Sequence, residues 1–324
     1  MKRSRPETLR SRAGSDACSR RAFLAAAAAT SVAAGVAAEA ADARAEEERA
    51  ASPPVCVFSK HLRHLDYPDL ARVCRELGLD GVDLTVRPGG HVTPERVAAD
   101  LPRAVAAIRA EGLDAPMVTT AFNEGADADL RPTLEAIAAQ GIRFFRCGGL
   151  VYDFSAPIAP QLDGFAERLR GLAAEAERAG VVGGYHNHSG GRNVGAPLWD
   201  LYEILRRVDS AALGSNFDVG HAVVEGGYGA WEINARLLAP HVRMMAVKDF
   251  RWVDGAVRWV PLGEGQVDLV GMLRIMREAG FGGPISLHFE YPTPSRDALL
   301  EHIAEAAKTL RAALAEAGYP ARQA

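Results

Sequence analysis

The sequence predicts a (β/α)8 barrel, the TIM barrel, as a single α/β domain over residues 55–324. Short β-rich apolar segments alternate with amphipathic helical segments from Val55 onward, and eight such pairs can be counted. Each pair spans roughly 30 residues, the length of a parallel strand followed by a helical crossover. Open doubly wound sheets more often have about five to seven strands, so eight units favour the closed barrel.

The predicted strands are short and rich in Val, Ile, Leu and Phe, as expected for parallel strands that are buried on both faces. In chain order they cover residues 55–58, 81–86, 115–119, 142–147, 181–186, 213–218, 244–248 and 285–290. The predicted helices have apolar residues three and four positions apart. They cover residues 70–77, 95–111, 134–140, 162–179, 199–208, 230–238, 269–279 and 295–317.

Glycines mark the ends of several predicted helices. Each lies between a helical pattern and the next apolar strand, at Gly78, Gly112, Gly141, Gly180 and Gly280. Glycine is the usual residue after the last turn of a helix because it adopts the left-handed conformation without strain. These positions support the repeated helix-to-strand connection of the barrel.

The composition excludes several classes of protein. The chain is 48% hydrophobic and 24% charged, with 37 Lys and Arg against 41 Asp and Glu, which is typical of a globular protein and not of a basic nucleic-acid binder. Cys56, Cys74 and Cys147 lack CxxC spacing and are predicted to be buried thiols. Neither a GxGxxG turn nor a phosphate-binding GxxxxGK[ST] loop is present, which disfavours nicotinamide and nucleotide chemistry.

Residues 1–40 have the features of an export signal. Seven basic residues fall within residues 1–21, ending in the segment 19–24 (SRRAFL), and an alanine-rich run follows. This pattern resembles a twin-arginine signal peptide. We expect export by the twin-arginine translocation (Tat) machinery and a periplasmic or secreted mature protein. The alternative is an alanine-rich helix that stays attached.

The segment that follows the signal, residues 41–54, is polar and is predicted to be a linker. Because residues 1–40 contain seven basic and three acidic residues, the rest of the chain has 30 Lys and Arg against 38 Asp and Glu, a net charge of −8. We therefore expect an acidic mature protein with no nucleic-acid partner and no membrane partner after processing. Twin-arginine export moves folded proteins, which favours a metal bound before export.

Polar side chains are concentrated where the predicted strands end, and a TIM barrel has its active site at that end of the strands. Six of the nine histidines lie there. A lone histidine is usually a core or surface residue, but this clustering favours a functional site. The candidate substrate-binding residues at the strand ends are Lys60, His61, Arg87, Arg146, His188 and His288.

Side chains two positions apart on a strand share a face. His186 and His188 therefore point the same way, as do His288 and Glu290, and Asp218 ends the strand between them in the predicted order. Mixed imidazole and carboxylate ligation suits Mn, Mg, Co or Zn. The alternative is a hydrogen-bonded polar plug without metal.

Five segments occur in an order that is typical of one family of barrels. They are residues 76–84 (ELGLDGVDL), 217–221 (FDVGH), 247–250 (VKDF), 261–268 (PLGEGQVD) and 285–291 (ISLHFEY). In these segments the chain resembles the sugar phosphate isomerase/epimerase family, the xylose isomerase-like TIM barrels, which include ketose 3-epimerases and inosose dehydratases. The resemblance covers roughly residues 55–317.

The resemblance implies a single divalent cation, held by Glu, Asp, His and Glu from strands five to eight. By position, His186 replaces the first Glu, Asp218 matches the Asp, Ala246 replaces the His and Glu290 matches the last Glu. We therefore expect His186, Asp218 and Glu290 to bind the metal.

Two further groups are available to compensate for the departures from the family pattern. His188 or His288 could complete a rearranged metal site, because they share faces with His186 and Glu290. Lys248 could reach into the space left at Ala246 and supply positive charge.

The chemistry that such a site supports is proton abstraction next to a carbonyl. We expect a sugar isomerase, epimerase or lyase that acts on a keto-sugar or related glycoside. In this hypothesis Glu290 is the base, His186 or His221 returns the proton, and Lys248 stabilises the developing negative charge. His221 lies where relatives place a substrate-contacting histidine, and the family also suggests a homo-oligomer.

Two other functions remain open from the sequence. One is a non-catalytic sugar-binding barrel that lost its metal together with the strand-seven histidine. The other is a metal-dependent hydrolase on the same fold. A hydrolase acting on DNA would need more His, Asp and Glu ligands and also a basic groove. The net charge of −8 disfavours such a groove.

Overall fold

A computed structural model describes residues 52–322 and confirms the TIM barrel. The strands are β1 (Val55–Phe58), β2 (Gly81–Thr85), β3 (Asp114–Thr119), β4 (Phe144–Arg146), β5 (Val182–His186), β6 (Leu213–Asp218), β7 (Val242–Val247), β8 (Asp249–Val253), β9 (Ala256–Val260) and β10 (Ile285–Leu287). Eight of them close into a parallel barrel in the order β1-β10-β7-β6-β5-β4-β3-β2. The other two, β8 and β9, pair as an antiparallel hairpin.

Helices follow the barrel strands and cover the outside of the barrel. They are α1 (Tyr67–Glu76), α2 (Val97–Ala110), α3 (Leu130–Ala139), α4 (Ile158–Ala179), α5 (Trp199–Val208), α6 (Val219–Glu225), α7 (Ala230–Leu238), α8 (Leu269–Glu278) and α9 (Arg296–Glu316). The side chains of Asp66, Asp268 and Ser295 accept backbone N–H groups in the first turns of α1, α8 and α9, so each start is fixed by a capping residue.

The core has two parts. A large cluster lies between the strands and the surrounding helices, and a small one, formed by Cys56, Met117, Phe144 and Met244, fills the barrel interior. On β5, Gly184 makes room for this filling, because a Cβ there would collide with the side chain of Met244. The interior is therefore packed and does not form a pore.

The folded region begins slightly before the predicted boundary at residue 55. The carbonyl oxygen of Pro54 accepts the backbone N–H of Ile285, and that of Ser52 accepts a hydrogen bond from Arg322. The predicted signal peptide, residues 1–40, and the linker up to residue 51 lie outside the described residues.

The hairpin of β8 and β9 was not predicted from the sequence, and Asp249 organises its base. The buried carboxylate of Asp249 accepts the backbone N–H groups of Phe250, Gly263, Gly265 and Val267 at 2.8–3.1 Å. This network joins the segment 247–250 to the segment 261–268 and explains why these two sequence motifs occur together. It also holds the hairpin over the mouth of the barrel.

Two smaller features complete the description of the fold. Cys56, Cys74 and Cys147 are buried free thiols, as predicted. Among residues 52–322, no helix has the length and apolar character needed to cross a membrane.

Candidate active site

A cavity of about 240 Å³ lies at the carboxyl ends of the barrel strands. It is lined by Phe58, Lys60, His61, Arg87, Arg146, His186, His188, His288 and Glu290. The strand-end residues that the sequence singled out are thus gathered around one cavity. Asp218, His221 and Lys248 lie beside it, in contact with its lining residues.

Asp218 is held at the end of β6 by hydrogen bonds from three directions. Its Oδ1 accepts the backbone N–H of His221 at 2.9 Å, which caps α6. The amide side chain of Asn187 bonds both the backbone N–H and the carbonyl oxygen of Asp218. The side chain is fully buried, so its carboxylate has a fixed position beneath the cavity.

Lys248 is the central cation of the site. It directly follows β7 and is only 3% exposed. Its Nζ lies 2.6 Å from Glu290 Oε1, 2.7 Å from His221 Nε2 and 3.2 Å from Asp218 Oδ2. Because Asp218 pairs in register with Ala246, the ammonium lies beside the position where relatives were expected to have a histidine.

The hydrogen bonds of His221 define its protonation. An ammonium group can only donate, so Nε2 of His221 accepts from Lys248 and carries no proton. Its Nδ1 then carries the ring proton and donates to Ser189 Oγ at 2.8 Å. Burial and the neighbouring Lys248 lower the pKa of His221 to about 3, so the ring is neutral at physiological pH.

Trp259 on β9 covers Lys248 and His221. The Lys248 Nζ lies 4.5 Å from the centroid of the indole, and the His221 ring centroid is 5.1 Å away. An aromatic face attracts a cation, so the hairpin both shields and stabilises the ammonium.

Four more imidazoles are kept neutral by burial. Desolvation lowers the pKa of His61 and His188 to about 4 and that of His186 and His288 well below the usual value. The charges of Lys60 (for His61), Arg146 (for His186 and His188) and Lys248 (for His288) add to this effect. At neutral pH these rings therefore carry no charge, and their unprotonated nitrogens are available to ligate a metal or accept a hydrogen bond.

Three buried residues form a group that fits a metal ion. His186, Asp218 and His288 each offer one ligand atom, and these atoms lie within 4.8 Å of one another. His186 Nδ1 and His288 Nε2 are buried and have no hydrogen-bond partner, whereas Asp218 Oδ2 lies 3.2 Å from Lys248 Nζ and 3.4 Å from His186 Nε2. Buried polar atoms are normally bonded, so the unpartnered ring nitrogens of the two histidines fit a bound cation, and two imidazoles with one carboxylate suit a divalent transition metal.

This group differs from the predicted ligand set at one position. His186 and Asp218 belong to it, but Glu290 does not, and its carboxylate binds Lys248. The reason is that β10 ends at Leu287, so His288 directly follows the strand and its ring stacks on Phe58 at 4.7 Å. Glu290 lies two residues further on and is partly exposed at the cavity rim.

The other predicted substrate-binding residues have different surroundings. His61 Nε2 accepts the backbone N–H of Phe289 at 3.1 Å, so this ring positions the loop after β10 as well as lining the cavity. Lys60 is exposed at the rim. The guanidinium carbons of Arg87 and Arg146 lie 5.3 and 5.7 Å from the Phe58 ring centroid.

Several residues of the site were not singled out from the sequence. Phe58, Ser189 and Trp259 contact the predicted groups directly. The alternation of apolar and polar residues around Val257 and Trp259 is a strand signal that could have indicated the hairpin. Ser189 lies in a loop, and nothing in its sequence context distinguishes it.

A closed parallel barrel with acid, base and cationic groups at the carboxyl ends of its strands has the architecture of the TIM-barrel enzymes. A family model described as the xylose isomerase-like TIM barrel matches residues 71–315. The chain therefore belongs to the xylose isomerase-like TIM barrel family, as its motifs predicted.

Solved structures support the same fold. A xylose isomerase domain protein from Alicyclobacillus acidocaldarius is 18% identical with a TM-score of 0.65, over 83% of this chain and 99% of that one. D-psicose 3-epimerase from Clostridium cellulolyticum H10, solved with D-tagatose, is 12% identical with a TM-score of 0.63, over 81% and 99%. The IOLI protein with a bound zinc atom is 16% identical with a TM-score of 0.62, over 83% and 99%. Among curated proteins, none matches the chain.

Proposed function

We propose that the protein is a sugar isomerase, epimerase or lyase that moves a proton on a carbon next to the carbonyl of a keto-sugar or related glycoside. The observation that carries the proposal is the arrangement around Lys248, whose ammonium joins Glu290 and His221 at the edge of the cavity. A carboxylate, an imidazole and an ammonium in mutual contact are the groups that proton transfer next to a carbonyl requires. The epimerase among the similar structures supports the same chemistry.

Glu290 is the base in this proposal. Its carboxylate lines the cavity and is 37% exposed, so a substrate can reach it. It is also held in place by Lys248, which fixes the oxygen that would remove the proton. His188 lines the same cavity, with its ring centroid 4.6 Å from that of His186, and its neutral ring can receive or return a proton.

Lys248 stabilises the negative charge that develops on the substrate oxygen when the proton leaves. Because the ammonium is buried and already oriented by three neighbours, its charge acts in a site that excludes most water. Ser189 holds the ring of His221, and His221 in turn holds the ammonium of Lys248. These two hydrogen bonds keep the ammonium directed toward the rim of the cavity.

A divalent metal is part of the proposal, with His186, Asp218 and His288 as the residues that would hold it. When bound, such a metal polarises carbonyl and hydroxyl oxygens. The zinc in the similar IOLI structure supports this assignment. Export to the periplasm and formation of a homo-oligomer stay predictions of the sequence.

The test is exchange of substrate hydrogen with solvent. Metal-loaded protein is incubated in deuterated water with D-tagatose, D-psicose and other keto-sugars, and loss of the C–H signal is followed by NMR. We expect exchange with the wild type and a decrease of about 10²- to 10⁴-fold in Glu290→Gln. Glu278→Gln, which changes an exposed carboxylate on α8 paired with Arg236, is the matched control and should exchange normally.

Two outcomes would contradict parts of this proposal. Exchange in Glu290→Gln at the wild-type rate would remove Glu290 as the base. Sugar binding without any exchange by the wild type would instead favour the non-catalytic sugar-binding barrel.

A further inference from the structure

The side of the cavity formed by the first four strands carries positive charge that no carboxylate neutralises directly. Arg87 follows β2, Arg146 ends β4, and both guanidinium groups lie against the ring of Phe58. Among residues 52–322, neither guanidinium has an ion-pair partner. Two adjacent cations that repel each other are costly to keep in a partly buried site unless an anion joins them.

Asp83 is the acidic group that interacts with both arginines, but its oxygens are already used. They accept hydrogen bonds from Thr119 Oγ1 and Ser286 Oγ, both at 2.8 Å. Asp83 is fully buried, and desolvation raises its pKa to about 6. Its charge therefore offsets part of the repulsion from within the barrel, but its carboxylate does not bind either guanidinium.

A second cavity of about 340 Å³ adjoins the first and continues the positive surface. It is lined by Lys60, Arg63, Thr85, Arg87, Pro88, Gly89, Gly90 and Ala121, and it shares Lys60 and Arg87 with the first cavity. Among the residues that line either cavity, Glu290 is the one carboxylate, and it is paired with Lys248. This positive surface contrasts with the net charge of −8 predicted for the mature chain.

We propose that the substrate is an anionic sugar whose carboxylate or phosphate group binds to Arg87, Arg146 and Lys60. This inference rests on the proposed function, because it places the carbonyl end of the same molecule over Glu290 and the histidines. Arginine suits this task because its planar guanidinium donates two parallel hydrogen bonds to a carboxylate or phosphate. The Phe58 ring keeps both guanidinium groups beside the cavity.

The test compares three probes by isothermal titration calorimetry on the metal-loaded full chain: fructose, fructose 6-phosphate and the keto-uronate fructuronate. We expect at least one anionic probe to bind about 10- to 100-fold more tightly than fructose. Arg87→Gln should lose most of this preference, whereas Arg87→Lys should keep part of it because the charge remains but the fork does not. Arg274→Gln on α8, far from the cavities in the fold, is the matched control and should keep the preference.

The outcomes separate this inference from the proposed function. Preference for the phosphate, the uronate or both upholds the inference and identifies the anion. Equal affinity for fructose and both anions, or no binding of either anion, overturns it. Deuterium exchange is measured on the same samples: an anion preference without exchange contradicts the proposed function alone, and exchange of fructose without an anion preference contradicts this inference alone.

Discussion

The two halves of the barrel mouth treat charge in opposite ways. On the side of β5, β6, β7 and β10, the buried ammonium of Lys248 is surrounded by Asp218, Glu290 and His221. On the side of the first four strands, Arg87 and Arg146 lie together without a carboxylate partner among the described residues. A charged group with an opposite charge beside it in the protein is held in a fixed position, where it can act on a substrate. A charged group without such a partner is available to bind an oppositely charged ligand.

The largest expected effect comes from removing the compensated cation. Lys248→Met keeps the length of the side chain but leaves Asp218 fully buried without its ammonium partner. We expect the free energy of unfolding of the metal-free protein to fall by about 3–5 kcal/mol, and proton exchange to fall by about 10²- to 10⁴-fold. The measurements are urea denaturation and NMR exchange.

The control for this variant is Lys308→Met, which removes an exposed lysine paired with Glu305 on α9. Its stability should change by less than about 0.5 kcal/mol. If Lys248→Met were as stable as the wild type, the buried carboxylate of Asp218 would not need the ammonium of Lys248. The proposed difference between the two halves of the barrel mouth would then be wrong.

The second effect concerns the metal. His288→Phe removes the ring nitrogens but keeps a ring that can stack on Phe58. We expect metal affinity to fall by at least about 100-fold, because mutation of a residue that only hydrogen-bonds a metal ligand already lowers metal affinity by about 10- to 100-fold. Glu290→Gln should still bind metal, because Glu290 belongs to the Lys248 network. Metal content is measured by elemental analysis after dialysis, and loss of metal in Glu290→Gln alone would favour the ligand set that the sequence predicted.

This choice between His288 and Glu290 shows where sequence reasoning stops. Both residues have the same parity along the closing strand, so alternation alone cannot separate them. Only the end of β10 at Leu287 decides which one lies deep in the barrel. By contrast, the strand over Leu213–Asp218 was predicted with its observed bounds, and Asp218 at its end caps the helix that follows.

The hairpin was missed for a related reason. Its residues between Arg251 and Arg258 are mostly exposed, so the alternation around Val257 and Trp259 does not have the fully apolar character of the barrel strands. Its position depends on the backbone hydrogen bonds of Asp249, which join residues 14 to 18 positions apart in the chain. The general rule for TIM barrels was enough to predict that the candidate residues lie at the carboxyl ends of the strands. Which of these residues pair with one another depends on contacts between distant parts of the chain.

The third effect is the loss of stability in acid. Five cavity and network imidazoles have lowered pKa values in the folded protein, and the unfolded chain binds protons at about 6.5. A lowered folded pKa gives stability that is present above pH 6.5 and is lost as the pH falls toward about 4. Asp83, with its pKa raised to about 6, acts in the opposite direction, but it is one group against five.

We therefore expect the metal-free protein to lose stability between about pH 6.5 and pH 4, as measured by urea denaturation at several pH values. Each imidazole that stays neutral contributes up to about 1.4 kcal/mol per pH unit to this loss. His61→Gln should reduce the slope by about that amount, since glutamine can still accept the Phe289 N–H but does not titrate. A slope that is the same in both proteins would show that His61 is not neutral in the fold.

The fourth effect tests the cover over Lys248. Trp259→Leu removes the aromatic face near the ammonium, and a cation–π contact contributes about 0.5–2 kcal/mol. We expect proton exchange to slow by about 2- to 30-fold. Trp252→Leu on the same hairpin is the control, since Trp252 is 45% exposed and contacts Phe250. Equal rates for both variants would mean that the hairpin acts only as a cover.

The smallest effect is expected on the uncompensated side, and it tests the comparison most directly. Arg87→Met removes a cation that has no ion-pair partner among the described residues, so the free energy of unfolding of the ligand-free protein should fall by no more than about 0.5 kcal/mol. The difference should appear with ligand: at 100 times its Kd, an anionic probe stabilises the wild type by about 2.7 kcal/mol, and the same concentration should stabilise Arg87→Met much less. Urea denaturation with and without the probe measures both quantities. If Arg87→Met lost several kcal/mol without ligand, the arginine would be compensated within the protein, and the two halves of the barrel mouth would not differ in the way proposed.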